Sequence, residues 1–171
     1  MHPGDQPQIR PMTRADVPPL ASALGAAQGA YYESRLALQA ADKGVVLVAV
    51  LDGGPVGAVF LSWDPPEEPE VRAELPDVAL LYRIEIRADM RRRGIGTILI
   101  HAAHALLRAH GHQRVALGVD LTNKDAIRLY ERLGYEEWDK RPIGSGAAAY
   151  TMMVFDLARQ LADASTGPAG S

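Results

Sequence analysis

Two periodicities alternate along this chain. Apolar residues fall at every second position, or in short unbroken runs, over residues 9–12, 45–51, 56–63, 78–87, 114–119, 135–138 and 149–157, which predicts strands. Helical spacing takes over at 20–27, 31–41, 94–110 and after Asn123, where Ala126, Ile127, Tyr130 and Leu133 form one stripe. Thr13 or Asp16 can cap the first helix, with Pro18 and Pro19 in its first turn, where a missing N–H costs little. Gly44 is expected to cap the end of the second helix, Gly111 that of the third and Gly134 that of the fourth. Asp52-Gly53-Gly54-Pro55 supplies a hairpin turn. Residues 64–70, with three prolines and clustered acids, read as a loop, as does Gly144-Ser145-Gly146. The pattern predicts an α/β chain with one mixed sheet flanked by helices.

Composition narrows the class. The 171 residues are 47% hydrophobic and 23% charged, which suits one globular domain with a sizeable core. We place that domain at 9–158, between a loose N-terminus at 1–8 and a Ser/Gly/Pro/Ala-rich tail at 159–171 expected to be disordered. The chain has no cysteine, which excludes disulfides and thiol catalysis. A net charge of −3 argues against a general nucleic-acid binder. No apolar run approaches membrane-spanning length and the first residues lack an apolar signal core, so no membrane partner and a cytoplasmic location are expected.

The chemistry concentrates where a strand hands over to a helix. Tyr82, Ile84 and Ile86 alternate with Arg83, Glu85 and Arg87; Arg91, Arg92, Arg93, Gly94 and Gly96 follow, and Ile95, Ile98, Leu99, Ala102 and Leu106 then recur at helical spacing. A helix N-terminus presents backbone N–H groups without intrahelical partners, together with the positive end of its dipole. Glycines there let a phosphate approach the backbone closely. Leu99 stands where a dinucleotide-binding loop would carry its third glycine, and no Gly-Lys-Ser/Thr of a P-loop is present. On the turn alone, a plain tight turn with solvated arginines is the competing explanation.

Arg91-x-x-Gly94-x-Gly96 resembles the coenzyme-A loop of the GNAT family of N-acetyltransferases, Arg/Gln-x-x-Gly-x-Gly/Ala between a strand and a helix. The stretch from Leu117 to Tyr135 resembles that family's later motif: a strand, Asn123, then Ala126-x-x-Leu129-Tyr130-x-x-x-Gly134-Tyr135. The order and separation of the two motifs also fit, and the looser likeness runs from about residue 9 to 156. The resemblance implies a mixed, mostly antiparallel sheet of six or seven strands flanked by about four helices. It also implies acetyl-coenzyme A as co-substrate, no metal, and a small-molecule or peptide amine as acceptor; a homodimer is common in the family.

Carried over by motif position, the amides of Arg92, Arg93, Gly94, Ile95, Gly96 and Thr97 would bind the coenzyme's pyrophosphate, with Arg91 among the arginines that neutralise its phosphates. Main-chain groups of Ile84 and Ile86 would pair with the pantetheine arm, and Asn123 would touch the coenzyme while also serving as an N-cap. Tyr130 aligns with the tyrosine that protonates the leaving thiolate in many members; its bland alternative is a core tyrosine. Glu85 is the candidate general base, against a structural ion-pair ladder with Arg83 and Arg87. His101 and His104 share a helix face, expected to be polar, with no third ligand at useful spacing. Glu67, Glu68, Glu70, Glu74 and Asp77 would form a solvated acidic loop or draw in a cationic amine. The same resemblance admits a catalytically silent domain that binds acyl-coenzyme A as a sensor or partner module. Residues 27–44, 64–77 and 138–149, expected to choose the acceptor, carry no transferable motif.

Overall fold

A computed structural model describes residues 6–138, 142–144, 146 and 149–158, so the expected terminal tail, the first five residues and Ser145 lie outside the described chain. The described residues form two compact units, one reaching through Asp64 and including Leu81–Leu106, the other comprising Pro65–Leu80 and the residues from Leu107 onward. Among the described residues no helix is long and apolar enough to cross a membrane.

In the first unit the runs at 45–51 and 56–63 pair as the expected hairpin, and the short run at 9–12 adds a strand beside it. Strand β1 (Gln8–Pro11) lies antiparallel to β2 (Gly44–Leu51), and β2 antiparallel to β3 (Gly54–Ser62). Asp52 and Gly53 turn the hairpin with φ of 53° and 81°, as a two-residue turn that matches strand twist requires. Helices α1 (Val17–Leu24) and α2 (Ala27–Ala40) bring Val17, Leu20 and Tyr32 onto Val46, Val48, Ala58 and Phe60. Ahead of α1, the Thr13 N–H donates to Asp16, whose carboxylate takes a two-pronged bond from Arg10 at 2.7 and 2.8 Å. That guanidinium holds the Asp16 carboxyl below its ordinary range.

Gly44 does not cap α2. The helix stops at Ala40, Asp42 takes the left-handed turn with φ 60°, and Gly44 opens β2. Its reason is spatial: a Cβ there would stand 2.3 Å from the Leu61 carbonyl oxygen of β3. Likewise α1 ends at Leu24, before Gly25 (φ 120°), and α2 begins at Ala27, earlier than periodicity suggested.

Strand β4 (Ala79–Ile86) gives Leu81 and the residues after it to the first unit, where β3 is its neighbour. Two contacts fix its register. Gly57 stands opposite Ile86, and the Phe60 ring stacks on Tyr82 with centroids 6.0 Å apart, which is one residue out of step. The strand therefore carries a bulge between Tyr82 and Ile84. Strict alternation of Tyr82, Ile84 and Ile86 is thus corrected: Ile84 faces Gly96 and Ile86 faces Gly57 and Leu99, whereas Tyr82 lies with Phe60 on the side covered by α1 and α2. Helix α4 (Ile95–Ala109) buries Ile95, Leu99, Ile100, Ala103, His104 and Leu107 rather than the expected Ile98, Ala102 and Leu106, which are only half-buried. So apolar a helix offers more than one stripe, and packing selects between them.

In the second unit β4 runs parallel to β5 (Arg114–Asp120) through Ala79–Val115 and Leu80–Ala116, and β5 pairs antiparallel with β7 (Tyr150–Asp156). A two-residue β6 (Glu136–Glu137) lies on the far side of β7. The region read as a loop contains a helix, α3 (Pro69–Glu74), which starts on a proline and buries Val71 and Leu75 against Val78, Leu80, Ala116 and Met152. Helix α5 (Lys124–Arg132) follows Asn123 as expected. Among the described residues the result is a mixed, mostly antiparallel architecture with seven strands, and five helices where about four were expected.

Candidate functional site

The phosphate-binding candidate is built by a backbone that doubles back between β4 and α4. A short turn, Ala88–Met90, is anchored by Arg87, whose Nε donates to Asp89 at 2.6 Å. This ion pair, two residues apart, occupies Arg87, one of the two arginines of the alternative ion-pair ladder. Arg91 is then extended, Arg92 left-handed (φ 65°) and Gly94 left-handed (φ 80°), before α4 begins at Ile95. Left-handed residues are the ones that, in tight turns, let backbone N–H groups converge on an anion. The first bond into α4 runs from Ile98 N–H to the Gly94 carbonyl at 3.1 Å, so the amides of Ile95, Gly96 and Thr97 precede the helical ladder. Arg91, Arg92, Arg93 and Gly94 are exposed, while Ile95 is buried as the anchor.

An arginine in the left-handed region costs about 1 kcal/mol or more, and such strain collects at functional sites. Gly94 needs its glycine for the same φ. Around Gly96 there is room, its nearest neighbour being Ile84 Cγ2 at 4.0 Å, so what glycine provides there is an uncovered backbone.

Beside this loop, strand β4 is tied to β3. Arg87 N–H donates to the Val56 carbonyl of β3 at 2.8 Å, and the Glu85 carbonyl lies 3.0 Å from where a Gly57 Cβ would be. Peptide groups alternate sides along a strand, so the N–H and C=O of Ile84 and Ile86 turn away from β3. Arg91 Nε reaches the Ile86 carbonyl only at a long 3.4 Å. By the same alternation the half-buried Glu85 points opposite to Ile84 and Ile86, onto the side that holds Phe60 and Tyr82.

Asn123 and Tyr130 belong to the second unit. Asn123 Oδ1 accepts from Ala126 N–H at 3.1 Å, a true N-cap of α5. Tyr130 packs edge-on to Tyr135 with ring centroids 5.6 Å apart, and Tyr135 in turn meets Phe155 at 5.2 Å. Burial raises the Tyr130 phenol above its ordinary value, so it holds its proton throughout the neutral range. The first unit thus gathers Ile84, Glu85, Ile86 and residues 91–97, and the second holds Asn123 and Tyr130.

The remaining candidates fare differently. His104 is buried, not on a polar face, and its ring stacks on that of the exposed His101 at 6.4 Å. Among the described residues no group of three or more His, Cys, Asp or Glu is placed to hold a metal ion. Of the acids before β4, Glu68 accepts from the Tyr150 hydroxyl at 2.5 Å, and Glu67, Glu70, Glu74 and Asp77 are exposed. Sequence reasoning missed Gly57, although an isolated glycine inside a strand does signal a close backbone approach.

Comparison with known proteins bears on this arrangement. A family model described as "Acetyltransferase (GNAT) family" matches residues 15–135. An uncharacterised N-acetyltransferase of Methanocaldococcus jannaschii is 38% identical over 96 residues, covering 56% of this chain and 41% of that protein. The chain spans less than half the length of the curated relatives it matches. Among solved structures, the ribosomal-protein-alanine N-acetyltransferase of Brucella melitensis superposes with a TM-score of 0.69 at 22% identity, covering 87% of this chain and 99% of that one. The PaiA N-acetyltransferase of Thermoplasma acidophilum, solved in complex with coenzyme A, gives 0.66 at 14% identity over 88% and 98%. At these identities the structural likeness concerns the fold.

Proposed function

This chain belongs to the GNAT family of acetyltransferases, and we propose that it is an acetyl-coenzyme-A-dependent N-acetyltransferase acting on an amine by direct attack. The observation that carries the reading is the loop at 91–97, where a left-handed Arg92 and a left-handed Gly94 lead into the fifteen-residue α4, whose first amides precede its helical ladder. Such a helix start, ringed by three exposed arginines, fits a pyrophosphate. The backbone groups of Ile84 and Ile86, turned away from β3, fit an extended arm laid beside β4 like an added strand.

When bound, the co-substrate supplies an acyl carbon already activated as a thioester. The protein's share is to hold it, to neutralise the amine and to protonate the departing sulfur. Glu85 takes the proton from the amine, directly or through water. The Ile86 N–H, turned away from β3, polarises the acyl oxygen. Tyr130, kept protonated by burial, donates to the sulfur as the carbon–sulfur bond breaks and the carbon–nitrogen bond forms. No covalent enzyme intermediate is needed, in keeping with a chain that has no cysteine.

The test is amine-dependent release of free thiol from acetyl-coenzyme A, followed across pH for the parent and for Glu85→Gln. Thiol release with a shifted acidic limb in the variant is expected. Coenzyme binding without turnover on any amine would make the chain a binding module, and identical pH profiles would remove Glu85.

A further inference from the structure

The α2 side of the first unit holds an arginine that no described residue neutralises. Arg35 lies across two aromatic faces, its guanidinium carbon 4.7 Å from the Tyr31 ring centre and 5.2 Å from that of Phe60. Its Nε is buried and has no hydrogen-bond partner among the described residues, and no carboxylate forms an ion pair with it there. A guanidinium on ring faces gains cation–π attraction but presents its N–H donors only along its edge. A buried donor without an acceptor is costly, and arginine is the side chain whose forked donors match an oxyanion best.

The surroundings say what would satisfy it. Phe60 continues the stack to Tyr82, the only large apolar side chain exposed among the described residues, at 40%. Tyr82 and Glu85 lie on the same side of β4, the side that faces α2. One wall of the first unit therefore carries a cation, an accessible aromatic face and the proposed base.

Resting on the acetyltransferase reading, we propose that Arg35 fixes the acceptor class: the substrate is an amine that also bears a carboxylate or phosphate, held by Arg35 while Glu85 faces its nitrogen. Tyr82 packs against the carbon skeleton between the two groups. Arg35 is a binding residue in this scheme and takes no part in the chemistry.

The test uses pairs of acceptors that differ in one charge: amino acids against their amides for carboxylate, and phosphoethanolamine against ethanolamine for phosphate. Thiol release by the full chain should favour the charged member of at least one pair by 10- to 100-fold in kcat/KM, mainly through KM, and the preferred pair identifies the anion. Arg35→Gln should erase that preference while thermal stabilisation by coenzyme A persists; Arg35→Lys, which keeps the charge without the fork, should restore part of it. Equal use of both members of every pair, or a preference that survives Arg35→Gln, overturns the assignment. A chain that coenzyme A does not stabilise would instead fail the acetyltransferase reading itself, which separates the two failures.

Discussion

A Cβ on Gly57 would stand 2.7 Å from Cδ1 of Ile86 and 3.0 Å from the carbonyl oxygen of Glu85. This single missing side chain sets how closely β3 and β4 approach where the proposed base and oxyanion donor sit. Gly57→Ala should cost about 1–3 kcal/mol by overpacking, a fall of roughly 2–10 °C in Tm for a chain of this size. Turnover should fall further than the stability loss explains, because Glu85 and Ile86 shift together. Adding Ile86→Val, which removes Cδ1, should recover part of the Tm. Thermal denaturation of the single and double variants checks this; an unaltered Tm in Gly57→Ala would show that β4 yields freely.

Arg92 contributes a charge and a strained backbone, and two substitutions separate them. Arg92→Gly and Arg92→Ala both remove the cation, so each should weaken coenzyme A binding several-fold, an effect that fades as salt rises. Only glycine relieves the left-handed φ of 65°, so Arg92→Gly should be more stable than Arg92→Ala by about 1 kcal/mol. Equal stability of the two variants would mean that the loop relaxes without cost.

Tyr130→Phe removes one hydroxyl from a ring already packed on Tyr135. The expected loss in kcat is about 100-fold or more, as for removal of a positioned acid, with coenzyme A affinity and Tm nearly unchanged. Because burial raises this phenol, the parent's rate should show no ionisation of Tyr130 across the neutral range. Steady-state kinetics with pH profiles decide it, and an unchanged kcat would return Tyr130 to the core.

Much of this fold is legible in the sequence, for identifiable reasons. The hairpin of β2 and β3 is a dense β-branched run around a two-residue turn, and local chemistry settles it. Asn123 announces α5 because an N-cap is a property of four consecutive residues. Other features depend on distant partners. Gly44 looks like a helix cap until Leu61 is placed beside it. The bulge between Tyr82 and Ile84 follows from how β3 lies against β4, which no period within β4 reveals. Helix α3 hides among prolines and acids because Val71 and Leu75 are too few to make a pattern, yet both are buried. Arg35 carries no motif at all; only its position over Tyr31 and Phe60 singles it out.

The most direct test of the central claim, that residues 91–97 hold the pyrophosphate of coenzyme A, is thermal stability with acetyl-coenzyme A, coenzyme A and ATP in parallel. At about 100 times its dissociation constant a ligand adds roughly 2.7 kcal/mol, a rise of about 5–10 °C in Tm here. Both coenzyme forms should produce that rise and ATP should not. No rise with either form, or an equal rise with ATP, would contradict the account.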